Sequence, residues 1–292
     1  VGAGFFSQRM NQLTCNARYM DEVERVLYNN VLTGVSLSGD KYTYQNPLNT
    51  DKPDRWEWHV CPCCPPMFLK IMAAMPGYIY AYQGDNVYVN LFIGSEVRVP
   101  VGKSNSVRLK QLTSYPWHGA VSIQVNPDKA STFSMKVRIP GWAQGTENPY
   151  DLYQSNLKAP VKLKVNQEDV LLRIVDGYAE INREWKKGDH IELELPMQPR
   201  LITANKAVEN LRGQVALASG PIIYCFEDAD NPELQTFKLQ AQTPLELSHD
   251  SNLLNGVNII KCQGDIPAKA IPYYAVANRE ESHSYKVWIP QK

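Results

Sequence analysis

The chain has 292 residues, enough for about two domains at roughly 150 residues each and for a sizeable apolar core. Thirty Lys and Arg balance thirty Asp and Glu, so there is no broad basic field of the kind that binds nucleic acid by counterion release. No apolar run approaches the ~20 residues of a membrane span, while the 10 % aromatic content, with sixteen Tyr and six Trp, is of a kind found on surfaces that stack against sugar rings.

The start, Val1-Gly2-Ala3-Gly4, carries neither an initiator Met nor a positive n-region and reads as a cut end, which leaves the compartment open. Residues 1 to about 76 read as helical. Val23, Val26, Leu27 and Val31 recur at helix spacing after Asp21, with Gly34 just past the end, and Glu22 and Glu24 are expected to face solvent or to complement the helix dipole. Ser36 to Val60, with Gly39, Pro47 and Pro53, should be loop with a short hairpin around Lys41 to Gln45. Pro65-Pro66 then opens a run from Met67 to Met75, apolar nearly all round, that predicts a buried helix stopped by Pro76-Gly77.

Beyond Gly77 the period changes to two. Residues 87–91, 121–125, 133–139, 161–165 and 191–195 alternate apolar and polar as half-buried antiparallel strands do, and several such strands with Gly, Pro and Asn breaks predict a β-sandwich. Further strands are expected at 214–218, 222–226 and 287–289. The domain reading is a helical part over 1–76, a β-sandwich over 77–200 and a second β-rich segment over 201–292, with a soft boundary near Pro199 to Val208.

Chemistry concentrates in Trp56-Glu57-Trp58-His59-Val60-Cys61-Pro62-Cys63-Cys64-Pro65-Pro66. Three of the six Cys lie within four residues here, unlike the spread-out spacing of a disulfide framework. Cys63 and Cys64 precede a Pro-Pro helix start, so their thiols should sit at the positive helix end, where the thiolate is favoured. A thiolate is both the better nucleophile and the better zinc ligand, so a metal site, a nucleophilic or redox thiol, and a structural Cys cluster all remain open. With Cys61 or His59 as a third ligand a zinc set would still be incomplete. His118 is read as a turn residue, Cys225 and Cys262 as buried small hydrophobes, and Cys15 as part of a turn between helices.

Several stretches together resemble a known family. Gln8 to Thr14, Ala17 to Asp21, Glu24 to Gly34, Tyr42 to Leu48, Cys61 to Pro66, Pro76 to Ala81, Arg138 to Ala143, Ile271 to Ala275 and Val287 to Pro290 are similar to the glycoside hydrolase family 127 β-L-arabinofuranosidases. The resemblance implies an α+β multidomain fold: the C-terminal part of an α/α six-hairpin barrel followed by antiparallel β-sandwich domains. It implies that Cys63 is the nucleophile of a retaining glycosidase, that Cys63 and Cys64 bind zinc, that Tyr44 hydrogen-bonds the nucleophile or the sugar, and that Cys61 and His59 support the site. Trp56 and Trp58 are expected to line the sugar pocket, with arabinofuranosyl-containing glycans as substrate. In the family a Glu-x-Cys motif supplies two more zinc ligands and an upstream Glu is the acid/base; neither is in this chain, so the chain alone is expected to be inactive. Exposed barrel helices would favour homo-oligomers. A bacterial periplasmic or extracellular location is expected by analogy, with a cytoplasmic one equally open. The alternative is a carbohydrate-binding or dimerising β-sandwich module without catalysis.

Overall fold

The computed structural model describes residues 1–57, 63–157, 159–240, 242–263 and 266–292. Helix α1 spans Gly2–Thr14 and α2 spans Arg18–Val26. Cys15 between them is left-handed, at φ 52°, which is how the chain reverses in so few residues. The α2 rod continues through a π turn, Leu27–Val31, and a 3-10 turn, Leu32–Gly34, so that Gly34 is its last residue. Met20, Val23, Leu27 and Val31 form one buried stripe that packs with Ile71 and Met75. Burying each such side chain contributes roughly 1.5–3 kcal/mol.

Helix α3, Cys64–Ala74, begins where Pro65 and Pro66 predict, since proline in the first turn forgoes an N–H that has no intrahelical partner anyway. The expectation of a helix buried all round is corrected. Ile71 is the buried residue of α3, whereas Leu69 is 64 % and Met72 39 % exposed. Among the described residues, α3 is packed on one face, through Ile71. Pro76–Ile79 adds a single turn, α4, before the β region.

Among the described residues the strands form three sheets. A six-stranded sheet runs Glu168–Asp169, Lys162–Val165, Asp189–Glu194, Ala120–Pro127, Asn105–Thr113, Ser95–Val101 in spatial order. A five-stranded sheet runs Ile174–Val175, Tyr178–Trp185, Ser131–Arg138, Asn86–Val89, Tyr80–Gln83. Inward residues of both, including Val107, Ile123, Met135, Ile181 and Ile191, share one apolar core, which is what their period-two patterns encode. One pairing departs from the antiparallel expectation. Asn86–Val89 lies parallel to Ser131–Arg138, because the strands between them belong to the six-stranded sheet and act as the crossover.

The third sheet takes its strands from distant parts of the chain. Its main path runs Leu245–Asp250, Val257–Cys262, Ala268–Pro272, Ile222–Glu227, Gln214–Ser219, Arg200–Ala204, Tyr153–Ser155. The strand expected at 287–289 is two short ones, Tyr285–Lys286 and Ile289–Pro290. Tyr285–Lys286 pairs with Asn49–Thr50, so the loop after Gly34 is held by the far end of the sequence. The expected hairpin at Lys41 to Gln45 is replaced by two isolated bridges, Val35 to Tyr42 and Tyr42 to Trp56.

Buried charge joins the layers. Arg138 is fully buried and donates to Asp21 Oδ1 at 2.6 Å and to Glu24, which also accepts from the Tyr115 hydroxyl at 2.7 Å and from Trp142 Nε1 at 3.3 Å. Glu24 is therefore a buried partner of the sheet and not a solvent-facing dipole residue, a correction that no local pattern announces; Glu22 does remain half-exposed, paired with Arg25. A second clamp is bidentate. Arg200 donates to both oxygens of Glu147, at 2.6 and 2.9 Å, and to the Gly220 carbonyl at 2.7 Å.

Candidate active site

Cys63 is the N-cap of α3 and Cys64 its first residue. Their sulfurs are 3.7 Å apart, Cys63 exposed and Cys64 half-buried. The pair opens into a cleft of about 690 Å³ whose walls include Asn30, Asp40, Tyr44 and Glu57. Cys15 lies elsewhere, beside Gln83, and Cys225 and Cys262 are buried in sheets, where burial raises both thiols, that of Cys262 to about 12. Of the described cysteines, only Cys63 and Cys64 reach the cleft.

Each wall has a local cause. The π turn at Leu27–Val31 brings Asn30 and Val31 to the cleft, and Asn29 beside them is fixed by donating to Pro221 O at 2.8 Å and accepting from Ile223 N at 2.7 Å. The rim turn Ser36 to Lys41 needs Gly39 at φ 79°. Asp40 in that turn accepts from the Ser38 and Ser36 hydroxyls, and the Ser38 bond first of all holds its carboxyl below the usual range, so it is ionised at neutral pH. Tyr42 exchanges backbone hydrogen bonds with Trp56 at 2.9 and 2.8 Å, and this places Tyr44 on the cleft wall with its ring stacked on Trp56, centroids 5.9 Å apart and planes within 6°.

This wall is anchored from outside. Arg55 donates to the carbonyls of Ala277 at 2.9 Å, Val276 at 2.8 Å and Thr33 at 3.1 Å. Pro47 O accepts from the hydroxyls of Tyr273 at 2.9 Å and Tyr285 at 2.8 Å. Tyr273, Val276, Ala277 and Tyr285 thus hold the loop from outside the cleft, and Asn49 adds to this by accepting from Val287 N at 2.9 Å and Trp288 N at 3.1 Å.

Tyr44, Cys63 and Cys64 line one cleft. Trp56 stands behind Tyr44 and lines a neighbouring cavity of about 310 Å³. Trp58, His59 and Cys61 lie outside the described residues. Asp40, Asn30, Asn46 and Glu57 are cleft residues that motif reading did not single out. The signal for Asp40 was the Gly39 turn beside it; Asn46 lay within a stretch carrying the resemblance. Two sulfurs bound to one zinc at ~2.3 Å stand about 3.8 Å apart in a tetrahedron, so the observed separation suits a chelating pair. Among the described residues no third His, Cys, Asp or Glu completes such a set.

A solvent-open cleft with paired thiols, an ionised carboxylate and an aromatic wall has the makings of a small polar-ligand enzyme site. Comparison with known proteins gives the class. Three family models match in series: the β-L-arabinofuranosidase GH127 catalytic domain over residues 1–77, the GH127 middle domain over 86–197, and the glycoside hydrolase family 127 C-terminal domain over 199–290. A non-reducing end β-L-arabinofuranosidase from Bifidobacterium longum subsp. longum is 29 % identical over 96 % of this chain and 46 % of its own length. The solved structure of a GH127 β-arabinofuranosidase superposes with a TM-score of 0.92 at 34 % identity, covering 100 % of this chain and 48 % of the other. A GH127 β-L-arabinofuranosidase from Geobacillus stearothermophilus T6 gives 0.89 at 33 %, covering 99 % and 49 %. The chain belongs to glycoside hydrolase family 127. It spans about half the length of these relatives.

Proposed function

We propose that this chain is the C-terminal portion of a retaining β-L-arabinofuranosidase whose nucleophile is Cys63. The observation that carries the reading is the pair of adjacent thiols, 3.7 Å apart at the start of α3, opening into the cleft that Tyr44 walls. The helical residues 1–76 are the last part of an α/α barrel, 77–200 a β-sandwich and 201–292 a second β-rich unit. Sulfur attacks the anomeric carbon of the arabinofuranosyl unit as the bond to the leaving oxygen breaks and that oxygen takes a proton from the acid/base Glu that the family resemblance places outside these residues. Water, giving its proton back to that carboxylate, then attacks the same carbon, the C–S bond breaks and the thiolate returns, so that two inversions give net retention. Tyr44 steadies the thiolate or a sugar hydroxyl by hydrogen bonding, and Cys61 and His59 support the site. Zinc held by Cys63 and Cys64 would keep the thiols ionised and oriented at neutral pH.

No Glu-x-Cys sequence occurs in the 292 residues. With those two ligands and, as the family resemblance implies, the acid/base Glu outside these residues, the chain alone has a nucleophile without its full machinery and is not competent for turnover. Self-association is the accompanying expectation, favoured by Phe6, Leu13 and Leu69, exposed at 64 %, 80 % and 64 %.

The test is a haloacetamide carrying a β-L-arabinofuranosyl group, with adducts located by peptide mass spectrometry. Labelling at Cys63, suppressed by excess L-arabinose, is expected. Labelling spread indifferently over Cys15 and Cys63 would remove the basis for a sugar-directed thiol. Release of arabinose from a β-L-arabinofuranoside by this chain, abolished in Cys63→Ser, would overturn the claim that it lacks competence.

A further inference from the structure

The cavity behind Tyr44 is not used by the reaction above. Its volume is about 310 Å³, and it shares Thr43, Tyr44 and Asn46 with the thiol cleft, so the two cavities adjoin along this segment. On its own side it is lined by Trp56, Thr50, Lys52, Asp54 and, from the C-terminal segment, Ala277 and Tyr285. We infer that this cavity is a leaving-group subsite that binds a second sugar ring of the substrate, with Trp56 as its platform and Lys52 and Asp54 at its polar rim.

Three features carry the assignment, which rests on the glycosidase reading for the identity of the neighbouring cleft. The first is the shape of the wall. Tyr44 and Trp56 are stacked nearly parallel; the Trp56 backbone is bridged to Tyr42, and its indole Nε1 donates to Asp54. A flat, oriented aromatic surface suits the apolar C–H face of a sugar, while a volume at the low end of the ~300–1,000 Å³ of small-molecule pockets suits one ring rather than a long chain.

The second is polarity. Hydroxyl, amide, ammonium and carboxylate side chains line the cavity beside Trp56, so both donors and acceptors for sugar hydroxyls are represented there. The third is rigidity from two directions. Arg55 ties the loop to Val276 and Ala277, and Asn49–Thr50 is a strand paired with Tyr285–Lys286, so the loop side and the C-terminal side of the cavity are held in register. Preorganised walls lower the cost of ordering a flexible saccharide. The C-terminal domain thereby acquires a role in substrate choice: it builds the place where the departing sugar sits.

The experiment compares binding of a β-L-arabinofuranosyl disaccharide and of methyl β-L-arabinofuranoside to the 292-residue chain, by saturation-transfer NMR and competition titration. The disaccharide is expected to bind about tenfold more tightly, and Trp56→Ala or Lys52→Ala to bring the two ligands within about twofold, with unchanged circular dichroism. Lys52 is exposed, so its variant serves if loss of Trp56 disturbs folding. Equal affinity for the two ligands, no binding of the disaccharide, or a preference untouched by both rim variants would overturn the subsite. A persistent, Trp56-dependent preference in a chain whose Cys63 resists the sugar-directed reagent would instead remove the nucleophile and leave the subsite standing.

Discussion

Arg138 and Glu24, 114 positions apart, meet in the interior as a charge pair with Nη2 donating to Oε1, and this contact fixes helix α2 to the five-stranded sheet. The same guanidinium holds Asp21 and the Asn90 carbonyl, and Gly141 N donates to Asp21 at 3.2 Å. The stretch Arg138 to Trp142 is thus a joint between helices and sheet, and it places the α2 rod whose π turn brings Asn30 to the cleft.

Removing one member of this buried pair leaves the other charge without compensation. Arg138→Ala is expected to lower the unfolding free energy by about 3–5 kcal/mol. Arg138→Met with Glu24→Leu should recover part of that loss. Urea unfolding of the three chains measures both effects, and a single variant within ~0.5 kcal/mol of the parent would show that the pair does not hold the layers.

A second prediction concerns acid. Burial is the largest single influence on Asp230 and opposes its ionisation, but hydrogen bonds and attraction from Arg279 and Lys269 together outweigh it and hold its carboxyl below the usual range. A depressed carboxyl contributes stability that is present above its unfolded pKa and is lost as pH falls through its lower folded value. Asp230→Asn should therefore cost roughly 1–3 kcal/mol at pH 7 and make stability fall less steeply below about pH 4. Parallel pH slopes for parent and variant would contradict the assignment.

Arg55 is the tether of the cleft loop. Arg55→Ala leaves the carbonyls of Thr33, Val276 and Ala277 without this donor and should cost about 2–3 kcal/mol. Amide exchange should accelerate across residues 42–56, with the strands of the six-stranded sheet unaffected. Uniform acceleration over the whole chain would indicate global destabilisation instead of a released loop.

Gly177 sits where a turn meets the start of α2. Its φ is +81°, and an added Cβ would lie 2.6 Å from the Ala17 Cβ, while Ala17 N donates to Asp176 O and Ile139 N to Gly177 O. Gly177→Ala combines left-handed strain with a clash and should cost about 2–3 kcal/mol. Thermal denaturation checks it; a melting temperature unchanged by the substitution would mean the turn has room to move.

What the sequence showed and what it hid follow from the range of the interactions. The α2 stripe of Val23, Leu27 and Val31, the period-two strands and the thiols ahead of Pro65-Pro66 are local patterns, and all three lie in the structure where the spacing puts them. Glu24 reads as a solvent-facing acidic residue of a helix until Arg138 arrives from another layer. Met67 to Met75 carries apolar residues on every side, but burial needs a neighbour, and a one-dimensional pattern cannot say whether the same chain supplies it. Trp56 was legible as an aromatic near the thiols; which side of Tyr44 it would occupy depended on its bridge to Tyr42.

The chelating thiol pair is the central claim, and a cobalt(II) titration followed by optical spectroscopy tests it most directly. One equivalent per chain should produce a thiolate-to-metal charge-transfer band that disappears in Cys63→Ser and in Cys64→Ser and persists in Cys15→Ser. A band that survives loss of Cys63, or no band with both sulfurs in place, would contradict a metal-binding, reactive pair at the start of α3.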